Sequence, residues 1–437
     1  LKSERPAGIS AADEFRRGWK IILVAAIGLG CGLSALPIYS LGALTKPLSA
    51  AMGWTRAETQ WIYTWMTLGN LVAAPALGWF LDRGGVRRVT LWSIALMSIG
   101  LASLGWITGP LWSFYLVAFI TAIVGVATTP ITWTRSVVDW FEVGRGRALG
   151  LALAGTGVSA MFIPSYTVWL IHNIGWRWAY IGLAALPAFV ALPIAFFMLR
   201  DRPAAELAAE RAAARGDTIS GPPSAPIEEM GFVQAIKGYQ FWVMSVVFLV
   251  VGAGVAGLIA TLLPFLTDRG VSSSQAALLS GVGIGLSVII GRIGTGYLID
   301  RFWAPGVAAI ILSLPAVSCL VLASGVGGLW AAGFSAVLIG LAAGAEFDLM
   351  AFLVSRYFAQ RRYGILYSCL YAIFKVGAGI GAPIFGYSFD FFGSYVSVLY
   401  AAAASLVGAS LLLLVLGPYV VRGRTGADAA AEAVSLT

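Results

Sequence analysis

The sequence predicts an all-α membrane protein of twelve transmembrane helices in two pseudo-symmetric six-helix bundles. Three observations carry that prediction. Of 437 residues, 59% are hydrophobic and only 11% are charged, against roughly 25% charged in a soluble domain. Apolar runs long enough to cross a ~30 Å hydrocarbon core fill most of the chain. Motifs of the first half also return in the second: Gly78-x-x-x-Asp82-Arg83 is echoed by Gly296-x-x-x-Asp300-Arg301, 218 residues later.

The spans fall near 20–44, 56–80, 88–108, 111–138, 147–172 and 178–199, then near 240–266, 274–299, 305–325, 328–354, 363–388 and 394–417. Residues up to Lys20 are polar, with no cleavable signal pattern ahead of the first span. Residues 200–235 interrupt the apolar runs. They begin as a short amphipathic stretch and pass into linker composition from Gly216 to Pro226. The organisation is therefore an N-terminal bundle (1–199), a polar linker loop (200–235), and a C-terminal bundle with its tail (236–437). Further anchors repeat at nearly one offset. Phe141–Gly150 resembles Phe358–Tyr367, and Gly175 matches Gly393. Repeats of this kind place a ligand site at their interface, near the bilayer midplane.

Charge sets the orientation. The net charge of +8 is spread in short clusters between apolar runs, which suits a membrane surface and not nucleic acid. Twenty-one Lys and Arg fall on the side holding both termini, and only Lys46, Arg56, Arg177 and Arg269 on the other. By the positive-inside rule both termini and the central loop are cytoplasmic, as expected of a multi-pass protein of a bacterial inner membrane. The remaining three cations, Arg135, Arg292 and Lys375, lie inside predicted spans. Cys31, Cys319 and Cys369 are far apart within apolar runs, without metal-ligand spacing.

A charge at the centre of a membrane helix costs ~2.5–3.5 kcal/mol on insertion scales, so it faces a partner or a watery cavity. Arg292 offers a planar fork to a carboxylate, and Lys375 a compact point charge. A cavity holding both favours an anion, and the pair also suits two anionic ends; the structural alternative is pairing with Glu346 or Asp348. Tyr371 and Ser368 precede Lys375 by one and two turns and share its helix face. Glu346 and Asp348 are the buried acids, pointing roughly 200° apart on one helix. One is expected toward Arg292, the other toward the Arg356–Arg362 cluster. Either suits a proton carrier, because low dielectric disfavours an ionised carboxylate. Alternating glycines, as in Gly281, Gly283 and Gly285, sit inside apolar spans without the strand context of a nucleotide-binding loop, and permit close helix contact instead.

Gly78-Trp-Phe-Leu-Asp82-Arg83-Gly-Gly85-Val-Arg87-Arg88 resembles the loop motif between the second and third helices of the major facilitator superfamily. Thr134-Arg135 to Asp139-Trp140-Phe141 resembles its fourth-helix motif, and Gly175-Trp176-Arg177 the lead into its sixth helix. Within the superfamily, Gly53-Trp54-Thr55-Arg56-Ala57, Gly291-Arg292 and Lys375 resemble the bacterial branch of oxalate/formate antiporters and monocarboxylate transporters. That resemblance implies an anion held by Arg292 and Lys375. It also implies that Asp82, Arg83, Arg87, Arg88, Arg135, Asp300 and Arg301 are gating charges that lock and release the bundles. Unlike the animal monocarboxylate pattern, Val288 stands where an Asp would precede Arg292 by one turn, and the first span has no buried lysine.

The function expected is secondary active transport of a small mono- or dicarboxylate by a monomer in the lipid bilayer. Proton symport is favoured by a small margin, with Glu346 or Asp348 as the coupling acid. An anion exchanger of the oxalate/formate type, a neutral-solute or drug carrier, and a non-transporting sensor on the same fold are the alternatives. No Walker loop, zinc spacing or nucleophile elbow is present, so neither an enzyme nor a cofactor or metal is expected.

Overall fold

A computed structural model describes residues 11–141, 144–201, 232–326, 328–358 and 363–417. Most of the expected linker loop and the tail beyond Gly417 lie outside the described residues. The described residues form helices joined by turns, with no strand among them. The fifth to twelfth spans are each long and apolar enough to cross a membrane. The second (Arg56–Gly84) and third (Val86–Leu104) are more polar, and the first and fourth are broken. Together they make the twelve crossings, six on either side of residues 202–231.

The duplication is visible in the backbone. The second span begins on Thr55, whose hydroxyl accepts from the Glu58 N–H. The eighth (Ser273–Arg301) begins on Ser272, which accepts from Gln275 N–H in the same way. Each is a Ser/Thr-x-x-Glu/Gln helix start. The turn just before each cap needs a left-handed residue, supplied by Gly53 (φ 70°) and Gly270 (φ 85°). At the terminal-side ends of the same two helices, Arg83 stacks over Trp79 at 4.3 Å and Arg301 over Tyr297 at 4.2 Å.

The symmetry does not extend to the first and fourth spans. The expected first span, 20–44, is two helices, Ala11–Gly30 and Leu36–Met52, joined through a turn. The apolar run is continuous there, but Pro37 lacks an N–H and restarts the chain as a first-turn residue. The fourth span is likewise Leu111–Val124 and Pro130–Trp140, with Thr129 extended before Pro130. The two breaks meet. Thr128 Oγ1 accepts from Leu33 N–H at 3.0 Å, and the Trp133 indole N–H donates to the Thr128 carbonyl at 3.1 Å. Ser93 Oγ accepts from Ala127 N–H and donates to the Val124 carbonyl. The freed backbone groups are thus satisfied by side chains, as irregular backbone at membrane depth requires.

The bundles meet through three helix pairs, the first span with the seventh, the second with the eleventh, and the fifth with the eighth. A twofold exchange of halves turns the second pair into the third, as parallel repeats predict. Among the described residues, the closest approaches lie toward the side away from the termini. Gly157 of the fifth span (Arg145–Ile174) packs on Gly285 and Ile289 of the eighth, and Gly281 packs on Met161. On the same two helix faces, two or three turns nearer the termini, a methyl group on Gly150 or Gly296 would meet nothing within 4 Å. Among the described residues, the halves are closed on the far side and parted on the terminal side.

Candidate functional site

Glycines bring the eighth and tenth (Gly328–Tyr357) spans to backbone contact. Gly291 lies against the Leu341 backbone and Gly344 against that of Val288, so any side chain there would collide. That approach sets Arg292 beside the acids of the tenth span. Arg292 is 7% exposed, and its Nη1 lies 3.6 Å from Asp348 Oδ1. Its Nε and Nη1 have no hydrogen-bond partner among the described residues, and neither has Glu346 Oε2. Glu346 is 6% exposed, within electrostatic reach of both Lys375 and Arg292. Asp348 therefore turns toward Arg292, and Glu346 lies within electrostatic reach of Lys375 and Arg292. Asp348 approaches Arg292 at 3.6 Å, and Arg361 and Arg362 of the cluster expected for the other acid lie outside the described residues.

Lys375 belongs to the eleventh span (Tyr363–Phe392), where Gly377 and Gly381 press against the backbone of Leu249 and Ala253 in the seventh (Tyr239–Asp268). Its Nζ lies 5.6 Å from the centre of the Tyr371 ring. Tyr371 in turn stacks on Tyr367 and packs against Phe347. Ser368 shares the helix face but is exposed, and its hydroxyl donates to the Gly364 carbonyl at 2.8 Å. The opposite half contributes Tyr39 and Tyr63. Tyr39 is within electrostatic reach of Glu346 and Arg292, and Tyr63 of Lys375, Tyr371 and Glu346. Five helices from both bundles thus converge on two cations, two acids and three phenols.

Sequence reasoning missed Tyr63, since tyrosine is common in spans, and it missed the far-side closure. Asp268 Oδ1 lies 2.6 Å from Lys46 Nζ and 3.0 Å from Arg56 Nη2, and Asp268 Oδ2 receives Arg56 Nη1. Arg56 also donates to the Tyr395 hydroxyl at 2.9 Å and lies 3.5 Å over the Phe389 ring. Asp390 accepts from the N–H groups of Arg56 and Ala57, so an acid of one bundle caps a helix of the other. The cations were visible on that side, but partners 212 and 334 residues away are fixed by packing alone.

Of the expected gating charges, Arg83, Arg87 and Arg301 have described contacts inside their own bundle. Arg87 N–H donates to Asp201, and its Nη2 donates to the Phe196 carbonyl at 2.7 Å, tying the third span to the end of the sixth (Trp176–Met198). Arg88 is exposed, and Arg135 is half-buried and engaged. The side chains of Asp82 and Asp300 lie outside the described residues. No group of three or more metal-ligating side chains occurs among the described residues.

Residues 21–364 match the family model of the Major Facilitator Superfamily. Mouse monocarboxylate transporter 11 is 26% identical over 66% of this chain, which spans 61% of that relative's length. Rat monocarboxylate transporter 13 is 25% identical over 91% of this chain and 89% of its own. Among solved structures, a bacterial homologue of the human lysosomal transporter Spinster superposes with a TM-score of 0.63 at 19% identity. That match covers 92% of this chain and 95% of the other. With the fold, the repeat and the family model in agreement, this chain is a multi-pass membrane protein that belongs to the Major Facilitator Superfamily.

Proposed function

We propose that the chain is a secondary active transporter that carries a small organic monocarboxylate together with a proton. The observation that carries this reading is the Arg292 guanidinium, buried between the halves with two nitrogens unbonded. Donors left without a hydrogen bond at membrane depth are expensive even beside Asp348 at 3.6 Å, and a carboxylate accepting from that fork relieves the cost. Lys375 supplies the second positive charge, and Tyr371 borders it. Tyr39 and Tyr63 offer hydroxyls from the other bundle, so a bound anion touches both halves and links them, as alternating access needs. The curated relatives named as monocarboxylate transporters support the same substrate class.

Charge balance supports symport. Arg292 and Lys375 face Glu346 and Asp348, so with both acids ionised the site is neutral and gains nothing from an anion. A proton on Glu346, whose Oε2 is unbonded, leaves one net positive charge to match one carboxylate. Asp348 already offsets one cation, which favours a monocarboxylate over the dicarboxylate that two free cations would suit. By the positive-inside rule, the parted side is cytoplasmic and so are both termini. The test is a binding screen of mono- and dicarboxylates on purified protein by thermal shift. Stabilisation by monocarboxylates that strengthens as pH falls is expected. Stabilisation by neutral sugars and not by carboxylates would overturn the reading.

A further inference from the structure

A second concentration of positive charge lies at the terminal-side ends of the first, fourth and sixth spans, away from Arg292. There a cavity of about 320 Å³ is lined by Arg16, Arg17, Lys20 and Arg200, and by no carboxylate among the described residues. All four cations are exposed, and none is ion-paired among the described residues. The described neighbouring acids are engaged elsewhere. Glu14 accepts from Gly144 N–H at 2.8 Å, Asp201 from Arg87 N–H at 2.8 Å, and Asp139 has a partner of its own.

A cytoplasmic anchor needs only scattered cations; this one is shaped. Trp19 and Trp140 line the same cavity, and Phe197, 75% exposed, stands beside them. Tryptophans in such a position mark the headgroup level of a bilayer, where an indole meets both water and hydrocarbon. The volume holds about ten waters at ~30 Å³ each, room for a phosphodiester and the glycerol behind it. Arginine forks suit phosphate oxygens, and the aromatic wall continues toward the acyl chains. A soluble anion would use the cations but leave that apolar wall unexplained.

We propose that this cavity binds the headgroup of an anionic phospholipid, clamping the ends of the first and sixth spans. The site is independent of the carboxylate reading. The test is native mass spectrometry of the full chain released from nanodiscs of phosphatidylcholine with phosphatidylglycerol admixed. Wild type is expected to retain one phosphatidylglycerol. The triple variant Arg16→Gln, Arg17→Gln, Arg200→Gln should bind it on the order of a hundredfold more weakly, as the loss of three cation contacts implies. Single Arg200→Gln and Lys20→Gln variants, each expected to lose roughly fivefold, keep the test intact if the triple variant does not fold. Lys237→Gln, an exposed cation outside the cavity, should bind like wild type. Equal retention by the single variants and wild type, or equal loss in Lys237→Gln, would overturn the proposal. So would displacement of the lipid by inorganic phosphate at matched concentration, which would assign the cavity to a soluble anion.

Discussion

In the proposed site, Arg292 and Lys375 are assigned different parts in holding an anion, a fork and a point charge. Arg292→Ala and Lys375→Ala should each cost on the order of 2–5 kcal/mol of carboxylate binding, roughly thirtyfold and upward in affinity. Isothermal titration on folded protein checks this. Arg292→Lys should also be impaired, because an ammonium cannot present two parallel donors. Wild-type affinity in Lys375→Ala would reduce that residue to a structural role. Glu346→Gln should still bind carboxylate but lose its dependence on pH, since the amide mimics the protonated acid. These residues were legible in the sequence because each is a charge inside an apolar run. The partner chosen by Arg292 was not, because roughly 200° of separation between Glu346 and Asp348 did not reveal which of them approaches the arginine.

Helix pairs in this protein are set by glycine, and the cost of a methyl group differs by place. Gly381→Ala would drive a methyl into the Ala253 carbonyl between the eleventh and seventh spans. Such overpacking typically costs ~1–3 kcal/mol, so a lowered unfolding temperature in detergent is expected. Gly296→Ala meets open space and should leave that temperature unchanged or raised by helix propensity. Equal effects at the two positions would contradict the packing described. Apolar run length made the twelve spans readable. The breaks at residues 31–35 and 125–129 were hidden. Hydropathy is continuous through both, and they are held by Thr128, Trp133 and Ser93, whose partners only the fold supplies.

Across the whole molecule, the far side is bridged between the bundles by the cluster of Lys46, Arg56, Asp268 and Asp390. Asp268→Asn removes the charge that Lys46 and Arg56 share and should favour opening on that side. The readout is an impermeant maleimide on Gln60→Cys, a fully buried position between the second and eleventh spans, with Cys31, Cys319 and Cys369 replaced. Faster labelling in Asp268→Asn is expected, and unchanged labelling would deny the cluster a gating role. The positive-inside asymmetry makes a further expectation: a cysteine placed within 216–226 should react only from the cytoplasm, and reactivity from outside would invert the topology. Such asymmetry is readable from sequence because it is a sum over many residues. Which face is closed is not, because that depends on a few contacts between distant segments.

The most direct test is uptake into liposomes with an imposed inside-alkaline pH gradient and no internal anion. The account predicts that a monocarboxylate accumulates with the gradient in wild type and that Arg292→Ala abolishes it. Uptake that ignores the gradient and requires internal anion, or accumulation undiminished in Arg292→Ala, would contradict it.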